Sequence, residues 1–247
     1  MILLQLPVTL DDRPLPRRVG LVTLATDHTT EVDFAVLPPR GIGVHATRIP
    51  FANPVTPETL AAMAGEVTRA AALILPGEDL DAVVYSCTSA SVVIGDDRVR
   101  AALRAGKPGA EPITPILAGF AALRALGAGR ITLLTPYTPE ITRPMADCFE
   151  AGGFALQGVA CLGMTDDRAM ARLSHDTIIA AARAAVAPGS QALFIACTAL
   201  RAAGIAARIE DAAGLPVVPA NLATLWAAMR ACGDTGAALP GQLMRLP

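Results

Sequence analysis

The chain has 247 residues, of which 53% are hydrophobic and 17% charged. This composition excludes a disordered protein and suffices for one large or two modest domains. The net charge of -2 and the lack of any Lys/Arg run argue against nucleic acid or an anionic membrane as a partner. No run of about 18 apolar residues is present to cross a membrane. The N-terminus lacks the basic start and cleavage site of a signal peptide, so a cytoplasmic location is expected.

Cysteine and histidine usage limits the possible chemistry. The five cysteines are an odd number without a CxxC pair, and there are only three histidines. This pattern indicates neither a disulfide framework nor a zinc site. Glycine-rich phosphate loops are also absent, because neither GxGxxG nor GxxxxGK[ST] follows a predicted strand.

Apolar runs of strand length alternate with Ala-rich helical segments. Residues 1–18 are expected to form an irregular arm. Strands are predicted over 19–24, around 43–46, and over 81–85, 130–135, 155–161 and 191–196. Helices are predicted from Pro57 to about 75 with Thr56 as N-cap, over 96–105 and 116–126, from 140 to 151, and over 177–187, 199–213 and 222–231. This alternation predicts an α/β fold with parallel sheets.

An internal repeat divides the chain into two similar halves. The dipeptide Cys87-Thr88 recurs as Cys197-Thr198, each time directly after an apolar run. Three further pairs recur in the same order: Asp27–Glu31 with Pro136–Glu140, Pro112–Pro115 with Pro216–Pro219, and Phe120–Gly127 with Trp226–Gly233. Four ordered matches indicate two copies of one α/β unit.

The repeated thiols suggest a shared site. Each lies at the carboxyl end of a predicted strand, which is where open α/β sheets bind ligands. A following helix N-terminus would lower the thiol pKa and offer backbone N–H groups to a carboxylate. Alone, Cys87 would be interpreted as a core residue, but a second thiol at the equivalent position favours a catalytic pair. Two thiols facing one carbon can move protons on opposite faces, or one can add covalently while the other handles a proton.

These motifs, together with Thr-Pro-Tyr-Thr-Pro-Glu after the first strand of the second half, resemble the aspartate/glutamate racemase superfamily. The most similar branch contains maleate cis-trans isomerases and arylmalonate decarboxylases. The resemblance covers about residues 19–233. It implies two pseudo-symmetric flavodoxin-like lobes, each a parallel sheet flanked by helices, with the active site in the interlobe cleft. It also implies a small carboxylate substrate and neither a metal nor an organic cofactor. We expect residues 1–113 and 217–247 to form the first lobe and 114–216 the second.

The resemblance also assigns roles to residues. Cys87 corresponds to the covalent nucleophile of maleate isomerases, Cys197 to the proton-handling cysteine and Tyr137 to the carboxylate-binding tyrosine. Arylmalonate decarboxylases have glycine where this chain has Cys87, so decarboxylation is disfavoured. Two asparagines of the maleate isomerases are replaced, by His28 and near Asp167, which favours an amino acid or N-acylated amino acid over maleate. Equally, Asp166 or Asp167 could simply cap the following helix.

We therefore predict a cofactor-independent isomerase or racemase of a small carboxylic or amino acid, in which one thiolate is base or nucleophile and the other thiol donates a proton. The catalytic residues are predicted to be Cys87 and Cys197, and the substrate-binding residues are predicted to be His28, Thr88, Ser89, Tyr137, Asp167 and Thr198. A homo-oligomer is expected. Alternatives are a carboxylate-binding regulatory protein without turnover, an ectoine-utilisation enzyme with another reaction, and a thiol redox protein. Cys148, Cys161 and Cys232 are predicted to be core residues.

Overall fold

A computed structural model describes all residues from Met1 to Pro247. The chain forms two parallel four-stranded sheets with the same strand order. The first sheet has the order β2-β1-β3-β4, with β1 Arg17–Leu24, β2 Ile42–Ile49, β3 Ala82–Tyr85 and β4 Glu111–Ile113. The second has the order β6-β5-β7-β8, with β5 Arg130–Thr135, β6 Ala155–Cys161, β7 Ala192–Ile195 and β8 Val217–Pro219. This identity of order confirms the predicted two-lobe α/β architecture.

Helices flank both sheets. They are α1 Thr30–Phe34, α2 Pro57–Ala62, α3 Val67–Ala72, α4 Thr88–Ile94, α5 Asp96–Gly106, α6 Pro115–Ala125, α7 Pro139–Ala151, α8 Asp167–Ala171, α9 His175–Ala185, α10 Ala206–Ala213 and α11 Ala220–Ala231. Short 3-10 turns occur at Pro38–Arg40, Met63–Glu66, Ala203–Ile205 and Leu243–Arg245. None of these helices has the length and apolar character that crossing a bilayer requires.

The central strands position the two thiols. Strand β3 pairs in parallel with β1 and β4, and β7 pairs in the same way with β5 and β8. Every residue of β3 and β7 is buried, so these short apolar runs lie in the interior of their sheets. Because each thiol lies two residues beyond its central strand, both are at carboxyl edges of parallel sheets.

The lobes share one core. Seventy buried apolar residues form a single connected cluster that includes members of both sheets. Helices α6 and α11 pack against each other, and α11 contacts strands of both sheets. The division of the chain between lobes stays a prediction. By strand pairing, β8 belongs to the second sheet, whereas the predicted division places residues 217–219 in the first lobe.

Several predicted helices differ in the structure. The helix expected from Pro57 to about 75 does begin with Thr56 as N-cap, in a capping box with Thr59. It is broken into α2, a 3-10 turn containing Gly65, and α3, which agrees with the poor helix propensity of glycine. Residues 88–94 form α4, whose N-terminus lies directly after Cys87 as expected, although the nearest helix with predicted bounds is the one over 96–105. The helix expected over 199–213 begins only at Ala206, because the chain first makes a turn after Cys197.

Candidate active site

Cys87 and Cys197 occupy equivalent places but have different backbones. Cys87 is extended, with φ of -154°, and serves as N-cap of α4. Cys197 has φ of +86°, in the left-handed region that few non-glycine residues adopt. It is followed by a turn rather than a helix, so the prediction of a helix N-terminus behind each thiol is wrong for Cys197. Strain of this kind is found at functional sites and must be maintained by surrounding contacts.

Two buried hydroxyl side chains, Ser89 and Tyr137, accompany the two thiols. Burial raises the pKa of Tyr137, and the charges of Cys197 and Cys87 add to this. The Ser89 hydroxyl lies 3.7 Å from the sulfur of Cys87. All four residues are buried. The structure thus brings together four of the predicted site residues, two from each sheet.

Both thiols have raised pKa values, contrary to the expectation of a lowered one. Burial raises the pKa of Cys87 to about 12, and the charges of Asp167 and Asp27 add to this. Burial and the charge of Asp167 also raise the pKa of Cys197. The backbone N–H groups of Ala90 and Ala199 act in the opposite direction. Desolvation outweighs these backbone N–H groups because it disfavours the charged thiolate. In addition, the helix that follows Cys87, α4, is only seven residues long.

The structure separates the two roles proposed for the acidic pair. Asp166 is the helix cap, since its side chain accepts a hydrogen bond of 2.9 Å from the Arg168 backbone N–H. Asp167 is buried, and its carboxylate accepts a hydrogen bond of 2.6 Å from Thr26 of the first lobe. Asn53, also of the first lobe, accepts from the Asp167 backbone N–H at 3.0 Å. Sequence patterns gave no signal for Thr26 or Asn53, whose roles arise from contacts between the lobes.

In the loop after β1, Asp27 rather than His28 is the organising residue. Its buried carboxylate accepts from the backbone N–H groups of Thr29 and Thr30, at 2.7 and 2.9 Å, and from the Thr30 hydroxyl at 2.6 Å. The Thr30 hydroxyl is in turn 2.5 Å from that of Ser86. The His28 side chain is exposed, and its electrostatic effect is a lowering of the pKa of Asp167. His28 is therefore at the protein surface near Asp167, which we call the rim of the thiol cluster, and not against the thiols.

The turn after Cys197 is held by the first lobe. The Thr198 hydroxyl donates to the Ser86 carbonyl at 3.1 Å, and the Thr29 hydroxyl donates to the Ala199 carbonyl at 2.8 Å. Thr88, the counterpart of Thr198, has a fully buried hydroxyl without a hydrogen-bond partner in the protein. The two equivalent threonines therefore differ, since only the Thr198 hydroxyl is hydrogen-bonded within the protein.

The remaining cysteines are only partly as predicted. Cys232 is buried and Cys148 half-buried, which agrees with structural roles. The prediction of a core position for Cys161 is wrong, because it is exposed at the end of β6, an edge strand with alternating burial. All five cysteines are free thiols.

Two parallel sheets with buried thiols at equivalent strand ends define a pseudo-symmetric α/β protein of the two-cysteine isomerase and racemase kind. The arylmalonate decarboxylase family model matches residues 39–244. The chain belongs to this family, in the branch of the Asp/Glu racemase superfamily that includes maleate isomerases.

Individual relatives support this assignment. The chain is 29% identical over 237 residues to the maleate isomerase of Nocardia farcinica, which covers 91% of this chain and 93% of that one. The structure of the Nocardia farcinica maleate cis-trans isomerase bound to TRIS has a TM-score of 0.83 and 27% identity, covering 93% of this chain and 98% of that chain. A cysteine-to-serine mutant of the same isomerase, with a covalently bound succinylcysteine intermediate, has a TM-score of 0.81 at 27% identity, with the same coverage.

Proposed function

We propose that the protein is a cofactor-independent isomerase or racemase of a small carboxylic acid, with Cys87 and Cys197 as the reacting groups. The observation that carries this proposal is the pair of buried thiols, each two residues beyond the central strand of its sheet. The succinylcysteine in the related maleate isomerase supports covalent chemistry at such a cysteine.

The pair can act in two ways. In racemisation, one thiolate takes the proton from the substrate α-carbon and the other thiol gives a proton to the opposite face, so the two cysteines exchange protonation states and proton exchange with solvent restores the starting form. In cis-trans isomerisation, the Cys87 thiolate adds to one alkene carbon while the Cys197 thiol protonates the other, the resulting single bond rotates, and return of the proton to Cys197 as the C–S bond breaks restores both groups. Both routes need one thiol to lose its proton. Burial and the charge of Asp167 raise both thiol pKa values, which opposes this step in the free protein.

Hydroxyl groups would hold the substrate carboxylate. Thr88 supplies a buried donor without a partner, and Ser89 and Tyr137 are buried hydroxyl side chains beside the thiols. Thr198 would join them only by giving up its hydrogen bond to the Ser86 carbonyl. Charge-neutral donors suit a single carboxylate, since each hydroxyl can donate one hydrogen bond to it. His28 would contact the substrate only from the rim.

The oligomeric state, the cellular location and the metabolic role of the protein are also proposals. Seven exposed apolar side chains in the first ten residues support a homo-oligomer in which this arm is covered: Met1, Ile2, Leu3, Leu4, Leu6, Val8 and Leu10. A cytoplasmic location and a part in ectoine utilisation are retained from the sequence as hypotheses.

The test is hydrogen exchange at the α-carbon in deuterated water, run with a panel of carboxylic and amino acids, beside cis-trans isomerisation of maleate. The wild type is expected to catalyse one of these reactions, and Cys87→Ala and Cys197→Ala to abolish it without loss of fold. Cys161→Ala, at an exposed thiol, is the matched control and should keep full activity. Substantial activity in both single alanine variants would overturn the proposal. Tight binding without any turnover would favour a regulatory protein instead.

A further inference from the structure

The carboxylate of Asp167 lacks a partner that could neutralise it. Its side chain is 7% exposed, yet it takes part in none of the protein's salt bridges. Thr26 donates a hydrogen bond to Oδ2, and no group of the chain donates to Oδ1. Burying a carboxylate is costly unless a cation or hydrogen-bond donors compensate it. A ligand that brings a donor to Oδ1 would supply this compensation.

The position of this carboxylate is fixed from both ends. Asp167 begins α8 in the second lobe, and its backbone N–H is bound by Asn53. Its Oδ2 is bound by Thr26, so two residues of the first lobe hold an acidic residue of the second. The side chain therefore cannot turn away to solvent without breaking contacts between the lobes. It presents Oδ1 in one direction, as a binding group requires.

Helix α8 brings Asp167 toward the thiols, because Met170, one turn later on the same helix, has its sulfur 4.0 Å from that of Cys197. In agreement with this position, the negative charge of Asp167 raises the pKa of Cys87 and of Cys197. The other charges acting on Asp167 are those of Asp27 and Asp166, which are negative, and of His28 at the rim. A dicarboxylate bound between the thiols would bring its second negative charge toward this acidic region. A substrate with an N–H group would find an acceptor there.

We infer that Asp167 binds an N–H group of the substrate, so that the protein acts on an α-amino acid or its N-acyl derivative rather than on a dicarboxylate. This inference rests on the proposed function and names its substrate class. With the nitrogen on Asp167 and the carboxylate on the hydroxyls, the α-carbon lies between the thiols. The Cα–H bond breaks as its proton passes to one thiolate, and a new Cα–H bond forms with the proton of the other thiol. The products are the opposite enantiomer and a thiolate on the cysteine that gave up its proton. No oxidation state changes.

Binding of an ammonium group would also assist the chemistry. The charge of Asp167 is one cause of the raised thiol pKa values, so pairing it with a cation removes part of that effect. The substrate would then favour formation of the thiolate that attacks it. An N-acyl substrate would gain the hydrogen bond without this charge effect, so the two ligand types are distinguishable by pH dependence.

The experiment compares the wild type with Asp167→Asn. The matched control is Asp166→Asn, because Asp166 caps α8, contacts Asn53 and pairs with the exposed Arg168. The probes are 2-aminobutanoate, N-acetyl-2-aminobutanoate and maleate. We expect the wild type to exchange the α-hydrogen of at least one nitrogen-bearing probe, with kcat/KM at least about 10-fold higher than for maleate. Asp167→Asn should reverse this preference, and Asp166→Asn should retain it. Thr26→Val, which frees the Asp167 side chain, should weaken the same preference if Asp167→Asn does not fold.

Two outcomes separate this inference from the proposed function. If the wild type prefers maleate, or if Asp167→Asn keeps the original preference, the substrate class is wrong while the thiol mechanism stands. If the wild type turns over no probe, the proposed function fails for these acids, and binding decides the role of Asp167. In that case 2-aminobutanoate should raise the melting temperature more than butanoate does, and Asp167→Asn should abolish the difference. Equal effects of the two acids would overturn the inference.

Discussion

Asn221 donates a hydrogen bond of 2.9 Å to the carbonyl of Thr198, the residue directly after Cys197. The same amide nitrogen donates to the Asp33 carboxylate of α1 at 2.8 Å, so one buried side chain of α11 joins the first lobe to the strained turn that carries a reacting thiol. The positive φ of Cys197 is thus supported by contacts from residues far away in sequence.

We predict that Asn221→Ala lowers kcat by roughly 10-fold or more, because a hydrogen bond of about 1–1.5 kcal/mol no longer holds the Cys197 turn. The melting temperature should fall by only about 2–6 °C, as expected for a similar loss of stability in a chain of this size. Gln157→Ala is the control, since Gln157 is exposed on the edge strand β6. An unchanged kcat in Asn221→Ala would show that the turn holds its geometry without this side chain.

Asp33 should make the stability of the fold pH-dependent. Burial raises the pKa of Asp33 to about 7, with the charge of Asp27 adding to the shift and the Asn221 hydrogen bond opposing it. The unfolded value is about 3.9. The folded state therefore favours the protonated form of Asp33. The stability that this preference contributes is present below about pH 4 and is lost as the pH rises from about 4 to about 7.

Asp33→Asn should remove this dependence. At pH 8 the variant should be more stable than the wild type by at most about 4 kcal/mol, the equivalent of a shift of about three pKa units. At pH 4 the two should be nearly equal. Chemical denaturation across this range measures the difference, with Asp147→Asn at an exposed site of α7 as control. A constant gap between the two proteins over the whole pH range would contradict this explanation.

Much of the fold could be predicted from local patterns. Apolar runs locate β1, β3, β5 and β7, because a buried parallel strand is a short apolar segment wherever it occurs. The recurring Cys-Thr dipeptide also identifies both thiols, since a repeat in the sequence can be recognised without knowledge of the packed structure. The bounds of α4 could not be predicted, because Thr88, Ser89 and Ser91 are poor helix formers in a helix interior.

The contacts that shape the site could not be read from sequence. Thr26 and Asp167 meet across the lobes, and Asn221 meets Asp33 from 188 residues away in sequence. No local pattern records such pairs. The expectation of a lowered pKa for Cys87 is wrong, because the shift depends on burial of the thiol in the folded protein. The effect of burial outweighs that of the neighbouring backbone N–H groups. Long-range packing decides these features.

Thiol reactivity should report the charge of Asp167 without any substrate. With a pKa of about 12, Cys87 is a thiolate in roughly one molecule in 10⁴ at pH 8. Iodoacetamide should therefore modify the exposed Cys161 first, and Cys87 and Cys197 far more slowly.

Asp167→Asn should lower the pKa of both reacting thiols and speed their alkylation several-fold at pH 8, measured by peptide mass spectrometry in a Cys161→Ser background. Cys232 is an internal reference, because its pKa is raised to about 11 by burial and by Asp81 rather than by Asp167. A rise confined to Cys87 and Cys197 is expected. If Cys232 accelerates equally, the variant has loosened the whole fold and the electrostatic explanation fails.

The backbone of Cys197 offers a last test of strain at the site. A left-handed conformation costs a residue with a Cβ atom about 1–3 kcal/mol, whereas glycine adopts it readily. Cys197→Gly should therefore be more stable than Cys197→Ala by about 1 kcal/mol, although glycine gains more freedom in the unfolded chain. Both variants should lack turnover because both lose the thiol. The matched pair at Cys87, where φ is -154°, should show the opposite order, with the alanine variant more stable. Urea denaturation of the four variants measures these differences, and the same order at both positions would show that Cys197 carries no backbone strain.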